Sequence, residues 1–137
     1  MTLTDILYGP NEHPDIYKTW EQLVTSYGYS YENHQAITED GYILKVSRVW
    51  KEGKRQPNAK VVFVQHGLFS SADWWVNTAE ESLAFQLADR GYDVWVGNNR
   101  GTKYSRGHTT WNPNKVSDMD KYFDYSFFEL GKFDVPA

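Results

Sequence analysis

An unbroken apolar run, Val61 to Val64, empties through Gln65 into His66-Gly67-Leu68, and this junction constrains the 137-residue chain more than any other feature. Four apolar residues in succession predict a strand covered on both faces, which implies a parallel sheet flanked by helices. The carboxyl end of such a strand is where these sheets place ligands. A His-Gly-Leu turn at that end can aim backbone N–H groups at a developing oxyanion.

The surrounding segments supply the rest of an α/β pattern. Pro14 and Asp15 suit a first helical turn, and Ile16, Trp20, Leu23, Val24 and Tyr27 recur at helical spacing before Gly28 stops the run. The resulting amphipathic helix either packs on a core or docks to a membrane surface, for which Lys18 alone gives little charge. Residues 34–38 and 43–50 flank Asp40-Gly41, a pair suited to the positive φ angles of a tight hairpin. Residues 51–59, charged and interrupted by Gly53 and Pro57, read as an exposed loop. Thr78-x-x-Glu81 predicts a capping box for a helix whose face is Leu83, Ala84, Leu87 and Ala88, ended by Gly91. A second buried strand follows over residues 92–96. Strand, helix, strand makes a βαβ crossover, so the fold class is α/β: an N-terminal helix, a β-hairpin, then a βαβ unit of a mostly parallel sheet.

Charge and composition narrow the function classes. A net charge of -4 with no basic cluster argues against nucleic acid. The absence of cysteine removes disulfides, zinc-thiolate sites and cysteine nucleophiles. His13, His34, His66 and His108 share no ligand spacing, and no glycine-rich phosphate loop occurs, so neither metal nor cofactor is expected. No apolar run is long enough for a transmembrane helix. The first fifteen residues lack a basic start followed by an apolar run, so no secretory signal is expected and the cytoplasm is the default location. Six Trp and ten Tyr exceed what a small core needs, so part of this surface is expected to face a partner or an apolar substrate.

Four segments together, GYSYENHQAITEDGYIL from Gly28, VVFVQHGLFSSADWWVN from Val61, SLAFQLADRGYDVWVGNNRGTKYSRGH from Ser82 and FDYSFFELGKFDVPA from Phe123, resemble the acid lipase family of α/β-hydrolases. The resemblance covers nearly everything after Asp15 and is specific in combining TEDGYIL, QHGL and GYDVWVGNNRG. It implies that the backbone N–H of Leu68 is one oxyanion donor, with Gly67 letting the backbone approach substrate and His66 supporting the loop. The family's general base is a histidine farther along, so His66 is not assigned that role. The family's nucleophile sits in a G-x-S-x-G turn, with its acid and base later still, and all three positions fall beyond Ala137. Ser70, Ser71 and Asp73 lie near His66 in sequence, as Ser105 does near His108, but neighbourhood alone does not make a triad. Ser70 and Ser71 are expected to cap backbone in the turn before Trp74. Asn98 to Gly101 match the family's GNxRG loop, in which Arg100 either holds adjacent loops internally or binds a carboxylate. Trp74, Trp75 and Trp111 line an acyl or sterol pocket or serve as buried support.

Ser126-x-x-Glu129 predicts a short helical turn, and Asp134-Val135-Pro136 a capping Asp and early-turn Pro at a new helix start. The expectation is therefore that residues 1–137 are the N-terminal portion of one α/β-hydrolase lipase domain, residues 1–30 its helical segment and 31–137 the start of its sheet. The resemblance implies that the strand over residues 92–96 lies between the hairpin and Val61–Gln65, leaving the latter an edge for a protein partner or the rest of the fold. Three functions follow: part of a triacylglycerol or sterol-ester hydrolase, inactive by itself; a non-catalytic lipase-like interaction subunit; or a lipid-binding module. By the resemblance, a lysosomal, secreted or lipid-droplet location also stays open.

Overall fold

A computed structural model describes residues 14–54 and 56–137. His13, the residues that bear on a signal segment, and Arg55 of the charged loop lie outside them. The first helix begins later than its periodicity predicts. Pro14–Tyr17 forms a 3-10 turn, and helix α1 spans Trp20–Ser26. Thr19 caps it: its Oγ1 accepts the Gln22 N–H at 3.3 Å, and the Gln22 side chain accepts the Thr19 N–H at 2.8 Å, a reciprocal capping box. Trp20, Leu23 and Val24 belong to the main core, whereas Ile16 is exposed. Gly28 ends the segment at φ +80, a conformation that favours glycine.

Strand β1, Ser30–Ile37, pairs antiparallel with β2, Tyr42–Trp50, in register from Ser30 opposite Trp50 to Ile37 opposite Ile43. In the connecting turn Thr38 N–H donates to Tyr42 O at 2.9 Å and Thr38 Oγ1 accepts the Tyr42 N–H at 2.8 Å. Of the Asp40-Gly41 pair, positive φ falls on Gly41 alone. Strand β3, Val61–Gln65, leads through helix α2, Leu83–Asp89, to the parallel strand β4, Asp93–Gly97. The sheet order is β1-β2-β4-β3, and the two-residue strand β5, Gly107–His108, pairs with the start of β2. The crossover thus puts β4 in the middle, as the family resemblance implies.

Helix α2 differs from expectation at its start. Residues Ala79–Glu81 make a 3-10 turn, and Thr78 forms no capping bond. Instead Ser82 Oγ donates to Ala79 O at 2.7 Å and accepts the Thr78 N–H at 3.1 Å. A buried hydroxyl in the turn outcompetes the capping box. The helix buries Ala84, Phe85 and Ala88, leaving Leu83 exposed and Leu87 at the margin. Phe85 stacks on Tyr29 with ring centroids 4.2 Å apart, a burial that contributes about 1.5–3 kcal/mol. Helix α3, Val116–Tyr122, and the turn Phe127–Glu129 follow. The latter is capped by Ser126 and Glu129 as predicted, and continues into the π-type turn Leu130–Asp134. No helix among the described residues is long and apolar enough to cross a membrane.

One face of the sheet, carrying Val49, Val94, Val96 and Val64, packs with α1 and α2. Among the described residues the other is covered only at its Tyr42 and Leu44 end, where Tyr122 and Tyr125 pack. The remainder forms a groove of about 390 Å³ lined by His34, Val46, Phe63, Trp95 and Val135. The expectation that Val61 to Val64 is covered on both faces is therefore corrected. Val64 is buried, but Val61 is 64% and Phe63 47% exposed, because their side chains alternate onto the uncovered face. Within the described residues β3 is also an edge strand. Such an edge is a template for pairing. The 137-residue chain should self-associate at micromolar concentration, and a Val61→Lys, Phe63→Lys double variant should shift it toward monomer in size-exclusion chromatography. A concentration-independent monomer without the substitutions contradicts this.

Candidate active site

Strand β3 delivers its carboxyl end beside that of β4, and the loop over residues 66–71 sits at this junction. His66 is buried. Its Nε2 accepts the Asn99 N–H at 3.1 Å, and since that amide can only donate, Nδ1 carries the proton and lies 2.8 Å from Gly67 O. Both ring nitrogens are thereby committed to loop geometry. A Cβ on Gly67 would meet no atom within 4 Å, so the space beside this backbone is open. The Leu68 side chain is 65% and Phe69 fully exposed, and Phe69 adopts φ 60. That left-handed conformation in a residue other than glycine costs about 1–3 kcal/mol and persists only where the surroundings impose it. Among the described residues the Leu68 N–H makes no hydrogen bond. It borders a cleft of about 260 Å³ shared with His66, Asn99, Arg100 and Tyr125.

Arg100 organises the floor of that cleft. Its side chain is buried, with Nη1 and Nη2 donating to Asp40 at 2.6 and 2.9 Å and Nε donating to Asp134 at 2.7 Å. The Arg100 backbone N–H also donates to Asp134, at 2.8 Å, and the guanidinium lies 3.8 Å from the Tyr42 ring centroid. Of the two roles open to Arg100, the structure shows the internal pair. Asp134 accordingly is a buried acceptor for Arg100 and not the free helix cap expected from Asp-Val-Pro. Burial pushes the Asp40 carboxyl up, yet the Arg100 guanidinium and the Thr38 hydroxyl outweigh it and hold it below the usual aspartate range. At Asp134 burial prevails over the same guanidinium, and the carboxyl is raised.

The hydroxyls and rings singled out from the sequence separate. Ser71 makes no capping bond and instead donates to Asp73 Oδ2 at 2.9 Å, which corrects the expected cap. Ser105 donates to Asn98 O at 2.9 Å and accepts the Lys45 N–H at 2.8 Å, while His108 Nδ1 accepts the Thr110 and Trp111 N–H groups. Trp74 is exposed, Trp75 joins the main core and Trp111 stacks on His108, so the three tryptophans do not share one pocket. Sequence reasoning passed over Tyr104. Its hydroxyl donates to Asp73 at 2.7 Å and accepts the Trp20 N–H at 3.2 Å, tying α1 to the segment after the loop. Burial, then the Asp73 carboxylate, pushes this phenol up to about 12. No local pattern marks it, because its partners lie far away in sequence.

Removing Arg100 leaves the buried Asp134 carboxylate without its counter-charge, beside the partly exposed carboxylate of Asp40. Arg100→Met should lower the unfolding free energy by about 3–5 kcal/mol, read by urea denaturation. Arg100→Lys should recover little of it, since one ammonium cannot make the forked contacts. A loss equal to that of an exposed surface substitution contradicts this. For Asp40 the folded pKa is below the unfolded one. Its contribution is therefore complete above about pH 4 and is lost as pH falls through the depressed value. Asp134 runs in the opposite sense, losing stability as pH rises from the unfolded toward the raised folded value. The stability gap between the unsubstituted chain and Asp40→Asn should accordingly shrink between pH 7 and pH 3, and a gap that stays constant rejects the assignment.

Comparison with known proteins accords with this geometry. The partial α/β-hydrolase lipase region matches residues 20–79, and the α/β-hydrolase fold matches residues 60–133. The chain is 42% identical over 136 residues to the tear acid lipase-like protein of Mesocricetus auratus, covering 96% of this chain and 33% of that protein. It is 42% identical over 128 residues to human gastric triacylglycerol lipase, covering 90% of this chain and 31% of the relative. Triacylglycerol lipase 1 of Arabidopsis thaliana is 47% identical over 115 residues, 82% of this chain and 28% of the relative. The chain thus spans about a third of the length of these relatives. With the fold, the QHGL turn and these matches in agreement, the chain belongs to the acid lipase family of α/β-hydrolases.

Proposed function

We propose that these residues form the oxyanion-loop part of a lipid-ester hydrolase acting on a triacylglycerol or sterol ester. The observation that carries this reading is the Leu68 N–H, without a hydrogen-bond partner among the described residues, beside an open cleft at the carboxyl end of β3. A serine from a G-x-S-x-G turn, which this sequence does not contain, attacks the ester carbonyl. The carbonyl oxygen becomes an oxyanion, and Leu68 donates one hydrogen bond to it. The second donor comes from the residue after the nucleophile. A single such donor is worth roughly 10²–10³ in kcat. Gly67 leaves the acyl group room to approach, and the exposed Leu68 and Phe69 side chains offer it apolar contact.

The edge strand and uncovered sheet face support a second reading, a non-catalytic lipase-like subunit that pairs with another polypeptide along β3. One fusion separates the two. Residues 1–137 joined to the part of human gastric lipase that follows its matched segment should hydrolyse tributyrin and be labelled by a fluorophosphonate, while residues 1–137 alone should do neither. A folded, labelled fusion without ester turnover overturns the hydrolase reading and favours the subunit.

A further inference from the structure

We propose that Asn98 and Asn99 are positioning residues that bracket the loop over residues 67–71 from its two ends and so set the direction of the Leu68 N–H. The proposal rests on Leu68 being the oxyanion donor. Little inside the loop fixes its shape. Its backbone hydrogen bond is Ser70 N–H to Gly67 O at 3.3 Å, its Leu68 and Phe69 side chains face solvent, and Phe69 holds a strained φ. Order must be imposed at the ends.

Consecutive residues leaving a strand project to opposite sides, and the two asparagines use this to reach opposite ends of the loop. At the near end the Asn99 N–H donates to His66 Nε2, and Asn99 Oδ1 accepts the Gln65 side-chain amide at 2.7 Å. At the far end Asn98 Oδ1 accepts the Ala72 N–H at 2.9 Å. Asn98 is itself immobilised: its Nδ2 donates to Lys45 O on β2 at 3.2 Å, and its backbone oxygen accepts Ser105 Oγ. Both asparagines are buried. Position 98 needs an acceptor for a main-chain N–H and a donor for a main-chain oxygen on one short side chain, which is what an asparagine amide supplies.

The test compares Asn98→Ala, which removes the far bracket, with Asn98→Asp, which keeps the acceptor for Ala72 N–H. In the fusion described above, Asn98→Ala should lower kcat about a hundredfold, the scale of an ångström-sized misplacement, with KM within about twofold because the loop acts on the transition state. Asn98→Asp should recover part of the loss, since its carboxylate keeps the acceptor for Ala72 N–H but gives up the donor to Lys45 O. In ¹H–¹⁵N spectra of the 137-residue chain, the amides of residues 68–71 should shift in Asn98→Ala and lie closer to the unsubstituted chain in Asn98→Asp. Unmoved loop amides in Asn98→Ala, or equal kcat losses in both variants, overturn the proposal. If Asn98→Ala does not fold, amide exchange in the unsubstituted chain decides: Ala72 and Asn99 must exchange far more slowly than Leu68 and Phe69, and similar rates overturn the bracket. A fusion inactive before any substitution defeats the hydrolase reading instead, and the spectra still judge the bracket.

Discussion

Three polar residues buried at the end of the central strand, Asn98, Asn99 and Arg100, are the constraint around which the rest of the molecule is arranged. An apolar strand carries them out of solvent, and each polar group left unpaired there costs about 1–3 kcal/mol. The chain satisfies them in different directions. Asn98 takes the Ala72 N–H and the Lys45 carbonyl, Asn99 takes His66 and Gln65, and Arg100 takes Asp40 and Asp134. One strand end thereby joins the hairpin, the loop after β3 and the C-terminal turn. The hydrogen bonds that hold the fold together are also those that shape the candidate site.

The layering has a chemical consequence. Helices α1 and α2 and the valines of β2, β3 and β4 seal one sheet face, and the aromatic group around Tyr42 and Tyr122 seals one end of the other. Low-dielectric surroundings strengthen the Arg100 interactions and make the geometry at the strand ends costly to distort. The residues exposed beside this rigid floor are Gly67, Leu68 and Phe69. A rigid base beside an open apolar tip is the geometry on which the role proposed for Leu68 draws.

Much of the fold was legible because its signals are local. The apolar strand ending at Gln65, the Asp40-Gly41 turn, the Gly28 stop and the Ser126 to Glu129 capping box each depend on a few neighbouring residues. The failures share a cause. Thr78-x-x-Glu81 has the pattern of a capping box, but the Ser82 hydroxyl claims the same turn. The face of α2 centres on Phe85 because Tyr29, from another element, stacks there. Asp134 has the sequence context of a helix cap, yet a buried guanidinium captures it. In the candidate site, the QHGL turn was readable and its more distant supports were not. Tyr104, Gln65 and the division of labour between Asn98 and Asn99 carry no local signature.

The amino-acid sequence by itself determined the four main strands, the first two helices, the α/β class, and the position of a glycine turn at a strand's carboxyl end. Apolar periodicity and turn chemistry act over a few residues and need no knowledge of the whole. Tertiary structure alone decided which polar groups meet. Arg100 finds Asp40 across 60 residues and Asp134 across 34. These partners become neighbours only once β4 is seated between β2 and β3, because a buried charge takes whichever counter-charge the assembled strand order brings within hydrogen-bond reach.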